Sequence, residues 1–172
     1  MTSLEQSGPP LFWSDVLAKD LKRFLTSRLR CAETAADLTH ETYLRLDRRV
    51  KESPPDNARA LAFRIALNLA IDYQRKAVVR NRHASDLEYD VALEITSNQS
   101  TEPDKTISAQ QQMALMKQAL DELPVNSRTA FYMHSVDGLK YAEIAKRMGI
   151  SKSMVNKLLS QAMTHCAMRM DK

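Results

Sequence analysis

The chain has 172 residues, a formal net charge of +4, a sequence pI near 9.1 and 44% hydrophobic residues. That length suits one domain or two small ones with cores of their own, and the basic balance leans towards a polyanionic partner. No apolar run approaches a membrane span, no basic-then-apolar leader opens the chain, and Cys31 and Cys166 stand alone and far apart, so a membrane protein, a disulfide framework and a zinc site are all disfavoured and the cytoplasm is the expected location.

The only glycines fall at positions 8, 138 and 149 and the prolines at 9, 10, 54, 55, 103 and 124, which leaves long stretches without a helix breaker and predicts an all-α fold. Residues 1–10, MTSLEQSGPP, read as a disordered lead. A first helix is expected over 11–30, with Val16 or Leu17, Leu21, Phe24 and Leu25 on one side and Trp13 near its start as a core anchor rather than a partner contact. A second follows over 33–52, with Ala35, Leu38, Leu44 and Leu46 apolar and Asp37, His40, Glu41, Arg45, Arg48 and Arg49 on the other side. The run SPPDN at 53–57 stops it, and Asp56 or Asn57 can cap what comes next.

The third helix, over 58–80, carries a stripe of Leu61, Ile65 and Leu69, with Ala62 and Ala66 a little round the surface, and a polar line of Arg64, Asn68, Asp72, Arg75 and Lys76. Between 59 and 82 there are six basic residues and one acidic, a net of +5 that suits a phosphate backbone or plain solvation. At 83 the character reverses. Residues 83–112 hold six acids and one base, with TSNQSTEPD inside, a composition that cannot bury a core and reads as an acidic flexible linker over 83–105. Such a tether would not bind DNA itself and would weakly shield the basic modules on either side. A second module spans 106–172: one helix over 106–122 (Met113, Leu115 or Met116, Leu120, Leu123) and another over 124–136, closed by Asp137 and Gly138. His40, His83, His134 and His165 are scattered and are expected on surfaces or helix faces rather than as ligands, and no cofactor is implied.

The most specific stretch is 141–162, YAEIAKRMGISKSMVNKLLSQA. Tyr141, Ile144, Ala145 and Met148 share one face of a short helix, while Val155, Leu158, Leu159 and Ala162 form an i, i+3, i+4, i+7 stripe on the next. Gly149 between them tolerates a left-handed cap and Ser151 can accept from the first free amides beyond it. The unit resembles the helix-turn-helix of DNA-binding proteins, the alternative being an ordinary αα-hairpin. Its outward residues, Lys152, Ser153, Asn156, Lys157 and Ser160, suit a major groove: Asn pairs with an adenine edge, Lys with guanine or phosphate, Ser with either. The set contains no arginine. Residues 140–172 hold seven basic residues and two acidic, a net of +5.

Together, DLTHETYLRL at 37–46, FRIALNLAIDYQRK at 63–76, LDELPVNSRTAFYMHSVDGLKYAEIAKRMGIS at 120–151 and MVNKLLSQAMTHC at 154–166 resemble an extracytoplasmic function (ECF) sigma factor of the sigma-70 family, over nearly all of the chain beyond residue 10. The ending from Gly149 is similar to the iron-uptake, ferric-citrate type subgroup. The resemblance implies that 11–82 is a region 2-like domain whose second helix grips the clamp coiled coil of the RNA polymerase large subunit through Asp37, His40, Glu41 and Arg45. It implies that Pro55, Asp56, Asn57 and Arg59 lie near an extruded base of the minus-ten element, with Arg64, Asn68, Asp72, Arg75 and Lys76 along the strand. It also implies that 106–172 is a region 4-like domain reading the minus-thirty-five element through Ser151, Lys152, Ser153, Asn156, Lys157 and Ser160, with Arg128 on the backbone. Its partners would be core polymerase, promoter DNA and a membrane-linked anti-sigma regulator, with no small-molecule substrate. Asn68 and Asp72 lie close enough to the apolar stripe to bond each other or a loop backbone instead of a base. The chain departs from the family at Ala36, where an acidic residue is frequent, and at His40, where Gln is common.

Two rivals are open to the same residues. A plain helix-turn-helix regulator that binds DNA without polymerase would use its first domain for an effector or for dimerisation, but that domain repeats the clamp-binding and strand-binding pattern and offers no obvious ligand pocket. A helical nucleic-acid enzyme such as a recombinase would need a nucleophile or metal carboxylates in a constrained setting, and neither the serines nor the scattered acids have that spacing, so a non-enzymatic role is expected.

Overall fold

The computed structural model describes residues 10–84 and 103–171, and the expected lead over 1–10, apart from Pro10, and most of the linker over 83–105 lie outside them. Seven α-helices and no strand occur among the described residues: α1 (Asp15–Leu29), α2 (Ala32–Glu52), α3 (Ala58–Ala84), α4 (Pro103–Asp121), α5 (Val125–Ser135), α6 (Tyr141–Met148) and α7 (Lys152–Met170). They divide into two compact units, the first running through Gln74 and the second from Arg75.

In the first unit, α1 starts later than its apolar pattern suggests because Ser14, in extended conformation, accepts the Leu17 amide at 3.1 Å. Leu17, Leu21 and Leu25 recur every fourth residue and are buried. The helix ends at Arg30, which takes a left-handed φ of 55° so that its amide reaches the Thr26 carbonyl at 2.8 Å, a conformation that costs a side chain about 1 kcal/mol. Against the α1 leucines α3 lays Ala62, Ala66 and Ala70, all fully buried. The expected stripe is therefore displaced: Leu61 and Ile65 sit half-buried at the rim, and Leu69 is buried, while the small side chains join the leucines of α1 in the core. On α2, Ala35 and Leu46 enter the core with Thr42, whose hydroxyl donates to the Leu38 carbonyl at 2.6 Å and so can be buried without an orphaned polar atom. Leu44, expected in the apolar pattern, is 44% exposed. Trp13 is half-buried against this core, edge-on to Tyr43 with centroids 5.1 Å apart.

The second unit is built around α7, whose two halves serve two clusters. Val155 and Leu159 pack with Ala130 of α5 and Ile144 and Ala145 of α6, and further along Ala162 and Cys166 pack with Ala119, Leu120 and Leu123. Phe131 touches both clusters and joins them. Among the described side chains of α4, those of its last turns take part. Met116 lies against the cluster, whereas Met113 is 70% exposed and Leu115 is exposed too, so the expected α4 stripe holds only at its C-terminal end. In the α4–α5 turn, Glu122 accepts from Arg169 at 2.5 Å and bonds His165 Nε2 at 2.9 Å, fixing the end of α7. His134, expected on a surface or helix face, is buried; its Nδ1 donates to the Leu139 carbonyl at 2.8 Å, which closes the turn around Gly138. Burial raises the Cys166 thiol pKa to about 11.

Candidate functional site

The turn between α6 and α7 follows from three residues. Gly149 holds φ 66°, ψ 33°, and both its amide and that of Ile150 donate to the Ala145 carbonyl, the latter at 3.1 Å. Ser151 then turns extended, and its hydroxyl accepts the Met154 amide at 3.0 Å, so α7 begins at Lys152. At the other end of α6, Glu143 accepts the Lys140 amide at 2.7 Å, and that bond draws its carboxyl below the ordinary range. The two helices are thereby fixed by backbone chemistry as well as by the Ile144, Ala145, Val155 and Leu159 core.

With Val155 and Leu159 buried and Leu158 half-buried, the outer face of α7 presents Lys152, Ser153, Asn156, Lys157 and Ser160, all exposed. Met154 shares that face at 43% exposure, a residue the apolar stripe passed over although its position one before Val155 puts it outside. A flexible thioether there adds apolar reach to a face otherwise able only to hydrogen-bond. Ser151 is exposed with its oxygen engaged as a cap. Arg128, in the first turn of α5, is half-buried and reaches Asp121 at 3.4 Å.

In the first unit the solvent face of α2 brings Asp37, His40, Glu41 and Arg45 into one line along the helix. Glu41 and Arg45 pair with each other at 2.6 Å, an exposed i, i+4 contact worth about 0.3–0.5 kcal/mol that a partner can break cheaply. His40 stacks on Tyr43, with centroids 6.4 Å apart and planes at 26°. Exposed Leu44 stands among these polar groups. Hydropathy hid it, because a leucine scores as core wherever it lies; helical position relative to Ala35, Thr42 and Leu46 identifies it.

The loop after α2 exposes Ser53, Pro54 and Asp56 and leaves Pro55 and Asn57 half-buried. Asn57 is the cap of α3, its Oδ1 accepting the Ala60 amide at 2.9 Å. Arg59 is bonded to Asp20 of α1. Along α3, Arg64, Asn68 and Arg75 are half-buried and Asp72 and Lys76 exposed. Among the described residues no cluster of His, Cys, Asp or Glu could hold a metal ion, and no helix is long and apolar enough to cross a membrane.

Comparison with known proteins agrees with this geometry. The family model for Sigma-70 region 2 matches residues 15–79, and that for Sigma-70, region 4 matches residues 113–166. The chain is 30% identical over 146 residues to the ferric citrate uptake sigma factor FecI of Escherichia coli, an alignment that covers 85% of this chain and 82% of that protein. It is 31% identical over 122 residues to the ECF RNA polymerase sigma factor SigE of Mycolicibacterium smegmatis, covering 70% of this chain and 46% of SigE. To the ECF RNA polymerase sigma factor SigM of Bacillus subtilis it is 25% identical over 143 residues, 83% of each. Two helical units, a helix-turn-helix with an exposed polar face and matches to both sigma regions lead to one assignment: the chain belongs to the sigma-70 family and is an ECF RNA polymerase sigma factor.

Proposed function

We propose a division of labour among three surfaces. The line of Asp37, His40, Glu41, Leu44 and Arg45 on α2 docks on the clamp coiled coil of core polymerase. The loop over 53–57 and the polar side of α3, with Arg64, Asn68, Asp72, Arg75 and Lys76, hold the minus-ten element: the loop takes a base from the stack, and the basic groups track the single strand. The face of α7 reads the minus-thirty-five element in the major groove, with Arg128 at the flanking backbone. Residues 11–82 and 106–172 act as the two domains and 83–105 as the tether between them.

The observation that carries this reading is the outer face of α7, where every apolar side chain of the stripe serves the core and five polar ones stand exposed at major-groove spacing. That face has two lysines and no arginine, so it binds weakly by itself and gains affinity from the polymerase and the minus-ten contacts made on the same chain. The protein works in the cytoplasm as a specificity subunit, without an enzymatic step of its own, under a membrane-linked anti-sigma regulator. The iron-uptake regulon is the first to examine, a reading that the name of FecI supports.

The test is run-off transcription of fragmented genomic DNA by purified core polymerase with and without the protein. New transcripts sharing minus-thirty-five and minus-ten sequences are expected. Absence of any association with core polymerase at low salt would sink the assignment of the α2 face.

A further inference from the structure

The loop over 53–57 has the hardest task in this scheme, holding a base outside the stack, and has five residues with which to do it. Its entry is fixed by the Ser53 amide, which donates to the Arg49 carbonyl at 2.9 Å, and Pro54 and Pro55 restrict two φ angles. Its exit is fixed by the first turn of α3, capped by Asn57. A loop this short is placed as accurately as that turn is.

The turn has an electrostatic defect. Free amides at a helix N-terminus favour negative charge, yet α3 has no acidic residue in its first turn and puts Arg59 there. Asp20 of α1, 39 positions earlier, supplies the missing charge: Arg59 Nη2 donates to its carboxylate at 3.0 Å, the two side chains being 31% and 29% exposed. The guanidinium also lies over the Phe63 ring, 5.2 Å from its centroid, and Phe63 meets Phe24 of α1 edge-on at 5.6 Å. Carboxylate and ring both tie the first turn of α3 to α1, and a planar guanidinium suits both contacts at once. A phosphate approaching Arg59 would meet a guanidinium already paired with a carboxylate.

We infer that Asp20 and Arg59 form a strut that positions the minus-ten loop, so that Arg59 acts through loop geometry and not as a phosphate contact, and Asp20, on a helix outside all three proposed surfaces, is a positioning residue for promoter opening. The inference rests on the assignment of that loop to the minus-ten element.

The test uses the full chain, core polymerase and a fork-junction DNA whose single-stranded minus-ten segment comes from a promoter found by run-off transcription. Asp20→Ala and Arg59→Ala each weaken fork binding roughly three- to thirtyfold, the range for contacting side chains, and the double variant is no weaker than the worse single one. The dependence of affinity on salt keeps its wild-type slope. Exchanging the charges, Asp20→Arg with Arg59→Asp, restores binding to within about threefold of wild type, because the pair is kept and the carboxylate now sits in the first turn of the helix. Amide hydrogen exchange over 53–61, without polymerase, quickens in Asp20→Ala and slows again in the exchanged chain. A salt slope lowered by about one in Arg59→Ala makes that residue a phosphate contact and overturns the strut. An exchanged chain weaker than either single variant, or Asp20→Ala with unaltered amide exchange or fork binding, overturns it as well. A wild-type chain that forms no transcribing complex while amide exchange responds as stated overturns the minus-ten assignment and, with it, the strut's role in opening.

Discussion

Replacing Gly149 by alanine isolates one free-energy term in the helix-turn-helix. The residue holds φ 66°, and a Cβ built on it meets no heavy atom within 4 Å, so no steric displacement accompanies the change. What remains is the intrinsic cost of a left-handed L-residue, roughly 1–2 kcal/mol, against a gain of about 0.4–1 kcal/mol from a stiffer unfolded chain. The net is a loss of about 1 kcal/mol, which for a unit of this size lowers its melting temperature by roughly 4–8 °C. Assignment to the second unit is possible because the chain has a single tryptophan, Trp13, in the first. Far-UV circular dichroism follows both units and Trp13 fluorescence only one. The expected result is a shift in the dichroism component that fluorescence does not follow, smaller for Gly149→Asn than for Gly149→Ala. A loss above about 3 kcal/mol would mean that the turn is sterically confined, and no loss at all would mean that the left-handed cap is not the native conformation; either result refutes the reasoning.

Leu44→Ala should leave thermal stability almost unchanged and weaken binding to core polymerase. Full burial of a leucine is worth about 1.5–3 kcal/mol, and with the residue still 44% exposed a partner can gain about 0.7–1.3 kcal/mol, or roughly three- to ninefold in Kd by titration. Asn156→Ala and Lys157→Ala should weaken promoter binding while polymerase association stays intact, and Lys157→Ala should lower the salt slope by about one if it meets a phosphate; loss of polymerase binding in either would contradict a modular split. Asp37→Lys should do the reverse. Cys166 sets an alkaline limit: its thiol pKa is raised from an ordinary 9.0 to about 11 on folding, so the unfolded chain releases that proton first as pH rises. Its contribution is intact below pH 9 and is lost between pH 9 and about 11, and in urea titrations the stability difference between wild type and Cys166→Ala should narrow across that window by up to about 1.4 kcal/mol per pH unit.

The helix-turn-helix was legible because each of its constraints is local. Gly149, Ser151 and the stripe of Val155 and Leu159 sit within a dozen residues of one another, and the backbone conformations they favour are the ones found. Elsewhere hydropathy identified the helices and misplaced parts of their faces. Leu44 and Met113 are apolar and exposed, while Thr42 is polar and fully buried. Leucine, methionine and threonine tolerate both settings, and what decides is whether a neighbouring helix reaches that level. Among the described side chains of α4, those of the last turns lie against α7, and no pattern within α4 carries that information. The alanine line on α3 was likewise undervalued, since alanine scores weakly for burial although three in register share the core with the leucines of α1.

The same limitation bears on the site residues. Polarity on a helix face marks a side chain able to bind nucleic acid, but it does not say whether its polar atoms are already engaged. Ser151 and Asn57 each hold a helix cap, and Arg59 holds Asp20 across 39 positions of sequence, a pairing with no local trace. Substituting any of them alters the scaffold together with the surface, so a loss of promoter binding alone cannot identify a contact there. Lys157 and Asn156 differ: both are exposed on a helix whose core face and cap are formed by other residues. Substitutions there should change binding without changing the melting transition, and that dissociation of binding from stability separates a residue that touches DNA from one that holds the surface in shape.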